Sequence, residues 1–235
     1  MTAPDPSGAP RRGRVPEHRL PAIVAVMTGA VLYAALPSEV APGPRFVVPV
    51  LELLLLVPLV AVNPRRFTRE TGWSRALSLV LVGVIAVANL VSLVLLVRAL
   101  LRGETDDGRQ LLLAALQVWI TNIIVFGLAY WELDRGGPVK RTQLPRSELP
   151  AADFRFSQDE NEDAVVEVAA TSSTKADWTP TLVDYLYVSV TNSTAFSPTD
   201  TMPLSTRAKL MMSVQCMAAV VTSVLVIARA VGSLQ

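Results

Sequence analysis

An all-helical integral membrane protein is the fold class this sequence predicts, and three observations predict it. Half of the 235 residues are hydrophobic. Lys plus Arg and Asp plus Glu nearly balance, at 21 and 20, so no charge excess marks the chain for a nucleic-acid partner. Five apolar runs recur, at 20–36, 46–62, 76–97, 111–130 and 208–228. A helix needs about 20 apolar residues to cross the hydrocarbon core, which the last three runs supply. The first two, at 17 residues each, cross tilted or extend through their Pro-rich ends. Five transmembrane helices in the plasma (inner) membrane are therefore expected, with the lipid bilayer as the surrounding partner.

Residues 1–18 are rich in Pro, Gly and Arg with almost nothing to bury, and read as a disordered tail. The run at 20–36 follows Arg11, Arg12, Arg14 and Arg19, a pattern shared with signal peptides; four later spans favour an uncleaved anchor. Residues 19–130 then form a four-helix transmembrane region. Cytoplasmic loops collect Lys and Arg. With five spans and an inner N-terminus, 16 of these residues fall inside and 5 outside, so the N-terminus reads as cytoplasmic. Residues 131–177 hold ten acids and six bases, and read as an acidic, partly disordered cytoplasmic loop with one short strand or helix. Tyr130 and Trp131, like Trp73, suit an interfacial aromatic belt.

The last unit, 178–235, is a short apolar segment, a polar hairpin and a final helix. Its stretch YLYVSVTNSTAFSPTDTMPLSTRAKL, at 185–210, resembles a potassium-channel pore loop. Against the family pattern YFSxxxxTTVGYGDxxPxT, Tyr187 and Ser189 match the opening, Thr194 the first filter threonine, and Asp200 and Pro203 the closing DxxP. Ser205 replaces the last threonine. The resemblance implies a re-entrant pore helix, symmetric self-assembly (a tetramer by channel analogy) and inorganic ions as the permeant class. The departure falls on the filter, where Ala195 replaces the second threonine and VGYG becomes Phe196, Ser197, Pro198 and Thr199. Filter glycines reach backbone conformations closed to other residues, and proline fixes φ and lacks an N–H. Potassium coordination by a carbonyl staircase is therefore not expected. Three readings stand: a weakly selective cation path lined by Thr194, Ser197 and Thr199 with an Asp200 ring; a non-conducting scaffold that keeps the architecture; or a simple turn whose Ser205 or Thr206 caps the last helix. If the segment before the hairpin crosses fully, six spans result, and the charge tally of 15 against 6 hardly discriminates.

YWELDRGGP at 130–138, DFRF at 153–156 and VDYLYVSVTNSTAFSPTDT at 183–201 also resemble an uncharacterised family of bacterial multi-pass membrane proteins, which implies membrane class and no substrate. Among other polar residues, Glu52 is the intramembrane acidic candidate, able to bind a cation or a proton unless it sits at headgroup level. Asn89, Gln117, Asn122 and Gln215 read as interhelical hydrogen-bonding residues. Enzyme signatures are missing: His18 is the sole histidine, Cys216 the sole cysteine, and no phosphate loop, HExxH or GxSxG occurs. Gly136, Gly137 and Pro138 read as a helix stop and turn. No cofactor and no metal site is expected.

Overall fold

The computed structural model describes residues 15–41, 43–44, 46–102, 108–160, 165–194 and 200–232. The described residues include nine α-helices, three short 3₁₀ turns and a two-stranded antiparallel sheet. Three helices are long and apolar enough to cross a membrane: α3 (Gly72–Arg102), α4 (Gly108–Leu133) and α9 (Thr206–Gly232). Two shorter apolar helices, α1 (Leu20–Ala34) and α2 (Val47–Val62), precede them, and α8 (Leu182–Thr194) lies just before α9. Long apolar runs satisfy their backbone groups internally, which is why they form helices, and α2 does so even with Glu52 and Pro58 inside it.

The ends of these helices sort to two faces. Arg19 N–H donates to the Arg65 carbonyl and Phe67 N–H to the Glu17 carbonyl, so the start of α1 meets the end of α2. Arg75, in the first turn of α3, donates to the carbonyls of Gly136 and Glu132, so α3 begins where α4 ends. At the opposite face, Leu36 and Val40 of the α1–α2 connection pack with Leu96 and Ala99 of α3 and Leu111 of α4. The four helices thus run alternately away from and towards one capped face. Leu20, Val31, Leu54, Val87 and Leu113 remain exposed, an apolar outer surface suited to lipid.

The cap is built from 131–181, and the sequence predicts a partly disordered loop over 131–177 of it. Its described residues are folded: α5 (Pro138–Gln143), β1 (Phe154–Phe156), α6 (Val166–Ala169) and α7 (Ser173–Ala176) follow one another. Phe154, Phe156 and Val139 join the same buried cluster as Tyr130, Trp131, Leu182 and Tyr185. Of the aromatic residues at the helix ends, Tyr130 and Trp131 are buried in the protein and Trp73 is exposed. Their burial is possible because both polar tips find partners inside, Gln215 for Tyr130 and Glu17 for Trp131. The sequence boundary after residue 18 also shifts. Glu17 and His18 already belong to the fold, His18 pairing with Arg66; residues 1–14 lie outside the described residues.

The expected helix stop after α4 is present. Arg135, Gly136 and Gly137 adopt φ of 51°, 79° and 95° in succession. At Gly137 a side chain would also run into the Arg75 guanidinium. Gly127 serves packing rather than conformation: a Cβ there would lie 2.6 Å from Leu186 Cδ2 and 3.3 Å from its Cα, so α8 seats directly on the α4 backbone. Gly127→Val is expected to push α8 off α4 and to cost about 1–3 kcal/mol. Thermal unfolding in mild detergent, read beside protease cleavage within 182–194, checks this.

Candidate functional site

The residues on either side of the predicted hairpin are held in place, while 195–199 lie outside the described residues. Its entrance is α8, whose first-turn Leu182 N–H donates to Glu17 Oε1 at 2.7 Å, and whose Tyr185 hydroxyl donates to Asp134 Oδ2 at 2.5 Å. Its exit is β2 (Thr201–Pro203), which pairs with β1 in the register Phe154 to Pro203 and Phe156 to Thr201. Ser205 then caps α9, its hydroxyl accepting from the Ala208 N–H at 3.1 Å, as the sequence suggested. Beyond its start, α9 runs from Ala208 and Met212 in the cluster beneath the cap to Ala218 and Val226 near the opposite face.

Of the predicted filter-like residues, Ala195, Phe196, Ser197, Pro198 and Thr199 lie outside the described residues. Thr194 is exposed at the end of α8, with its hydroxyl turned back to the Val190 carbonyl. Asp200 is exposed and accepts from the Tyr187 hydroxyl at 3.0 Å. Asp200, Asp184, Glu160 and Tyr187 share an open groove of about 550 Å³ beside β2. Asp184 there is engaged by the N–H and hydroxyl of Thr181, at 2.7 and 2.8 Å. Among the described residues, no three His, Cys, Asp or Glu side chains gather as metal ligands.

Two groups were not assembled by the sequence reading, which named only some members of the second. The first is a charged cluster that anchors α8 and the start of α9 to the cap. Asp134 Oδ1 accepts from the N–H groups of Asp153 and Phe154 at 2.6 and 3.3 Å. Arg141 donates to the Trp131 and Asp134 carbonyls, stands 5.0 Å over the Tyr185 ring and lies 3.8 Å from Glu17. Asp153 receives Ser205 and Arg207 from the start of α9. Burial pushes the Glu17 carboxyl above the usual carboxylate range, against the Leu182 N–H and the Arg141 charge, which favour its ionised form. Burial acts the same way on Asp159, but there the Ser173 hydroxyl and Arg135 prevail and hold it below that range. The fixed-looking motifs at 130–138 and 153–156 were the available signal, since their residues converge on this cluster.

The second group lies inside the bundle. Gln215 of α9 accepts from Tyr130 at 2.6 Å and Asn192 at 2.9 Å, and its amide nitrogen reaches Ser189 Oγ at 2.6 Å and Ser193 Oγ at 2.9 Å. Ser189 also donates to the Ile123 carbonyl, Asn122 to the Gln215 carbonyl and Asn89 to Asn122. Sequence reasoning assigned Asn89, Gln117, Asn122 and Gln215 to interhelical hydrogen bonds; Asn89, Asn122 and Gln215 make them. The polar side of α8 is therefore turned to α4 and α9, leaving Val183, Tyr187 and Val190 exposed. Comparison with protein-family models, with curated proteins and with solved structures finds no match.

Proposed function

We propose that this chain is a plasma-membrane protein of five spans whose α8 and the following segment to Asp200 form a re-entrant hairpin, and that copies assemble around it into a weakly selective cation path. One observation carries the reading: α8 starts at the capped face and heads inward alongside α9, yet Asp200 is back beside Tyr187, and β2 pairs with the cap. Seven residues separate Tyr187 from Thr194, about 10 Å of helix, and the six steps from Thr194 to Asp200 reach about 20 Å. A helix that enters and a chain that returns to the same face leave α9 as the inner wall, the connectivity of a pore-loop unit. The lysines and arginines gather at the capped face, which makes that face, and the N-terminus, cytoplasmic. In this topology α1 and α2 are short spans, completed towards the outer side by the buried residues Leu36, Val40 and Ala41.

A non-conducting scaffold is the second reading. It is favoured by the Gln215 network, which turns the hydroxyl and amide groups of α8 to its own neighbours rather than to a shared axis. Ring carboxylates select cations by sign. Purified protein in liposomes is expected to pass monovalent cations over anions, and Asp200→Asn to reduce that preference roughly tenfold. Absence of flux under every gradient, with a monomer in mild detergent, gives the assignment to the scaffold.

A further inference from the structure

Glu52 takes no part in the hairpin and is enclosed on its own account, with 1% of its surface exposed. It lines a cavity of about 10 Å³ together with Tyr33 of α1, Asn89 and Ser92 of α3, and Thr121 of α4. On α4 the cavity is central, Thr121 standing 13 residues from the start and 12 from the end, about 20 Å of helix either way, while on α1 and α2 it lies near the ends away from the cap, beside Tyr33 and Leu36. Two oxygens there are buried with no hydrogen-bond partner, Glu52 Oε2 and Ser92 Oγ. Both belong to side chains that are 1% exposed and face the same small space.

Charge decides what the space serves. None of the lining residues is Lys, Arg or His, and the one other titratable group is Tyr33, from α1. Beside Glu52, α3 contributes Ile85, Ala88, Asn89 and Ser92, and α4 contributes Val118 and Thr121, all uncharged. A carboxylate in such surroundings is strongly disfavoured without a positive charge brought in from outside. A hydrated cation does not fit a volume that holds about one water. A bare divalent ion requires about six oxygens and more than one carboxylate. A proton requires a single oxygen and one water to travel on.

We propose that Glu52 is an exchangeable proton-binding site, served by one internal water between Glu52 Oε2 and Ser92 Oγ. On release, the carboxyl O–H bond breaks and the proton leaves on the water as hydronium, and the carboxylate left behind accepts from the Ser92 hydroxyl across the space the water has vacated. Uptake reverses each transfer. Asn89 links this cavity to Asn122, and Asn122 to the Gln215 carbonyl, both at 3.4 Å, so the charge state of Glu52 faces a polar chain leading to α9.

The test uses the whole chain in liposomes and infrared difference spectra of the carboxyl C=O stretch as the pH is stepped. The wild type is expected to show protonated-carboxyl bands that convert to carboxylate as pH rises, and Glu52→Gln to lose one component of them while the contribution of Glu17 stays. Ser92→Ala is expected to keep that component and move its midpoint to higher pH, because the anion loses a donor. Identical spectra for wild type and Glu52→Gln overturn the proposal. So does a band that disappears at constant pH on addition of Na⁺ or K⁺, which assigns the site to a metal cation. If Glu52→Gln does not fold, Ser92→Ala carries the test alone, and an unmoved midpoint overturns it. The readout is independent of flux, so this proposal and the hairpin reading fail separately.

Discussion

Asp134→Ala is expected to destabilise the protein by about 3–5 kcal/mol, the cost of removing one partner from a buried ionic group. The carboxylate has no exposed surface and accepts three hydrogen bonds, from the Asp153 and Phe154 N–H groups and from the Tyr185 hydroxyl. Arg135, itself buried, lies 3.8 Å away. Truncation leaves two backbone donors, a phenol and part of a guanidinium charge without that acceptor. Tyr185→Phe removes one of these bonds and no charge, and is expected to cost only about 1 kcal/mol. The two variants therefore separate the ionic role from the packing role. Both effects are read from thermal midpoints in mild detergent, with protease cleavage at the α8 entrance as the local probe. Equal losses in the two variants would mean that Asp134 merely fills space.

The long helices were legible because lipid imposes a simple condition, an unbroken apolar run, and 76–97, 111–130 and 208–228 meet it. The cap was not legible, because ten acids and six bases within 131–177 have the composition of a solvated loop. Composition does not disclose that Arg141 is sealed beneath Tyr185, that Asp153 holds Ser205 and Arg207, or that Glu17 comes from 165 residues upstream to receive Leu182 N–H. Such pairings satisfy charges with one another instead of with water, and only the folded chain brings them together. The candidate site divides the same way. The span polarity of Gln215 and Glu52 was evident, but their depth and partners depend on which face of each helix turns inward. α8, with Ser189, Asn192 and Ser193 on one side, signals an amphipathic helix without saying whether that side meets a neighbour or an open path.

That ambiguity bears on how α8 is held, and Gln215→Leu is the decisive substitution. Its side chain is fully buried and ties α9 to Tyr130 of α4 and to Ser189, Asn192 and Ser193 of α8. Interhelical hydrogen bonds in lipid average about 0.6 kcal/mol each. Four such bonds sum to roughly 2–3 kcal/mol, and leucine returns little because it cannot satisfy the tyrosine and asparagine left behind. The cost is expected to fall mostly on those stranded groups. Adding Tyr130→Phe to Gln215→Leu should therefore restore about 1 kcal/mol, since removing both partners is far cheaper than removing one. By contrast, Tyr130→Phe alone, which strands only one lone pair of Gln215 Oε1 while Asn192 still donates to that oxygen, is expected to be mild. Unfolding midpoints of the three variants close the cycle. A neutral Gln215→Leu, or a double variant no better than the single one, would show that apolar packing rather than the polar ladder seats α8 between α4 and α9.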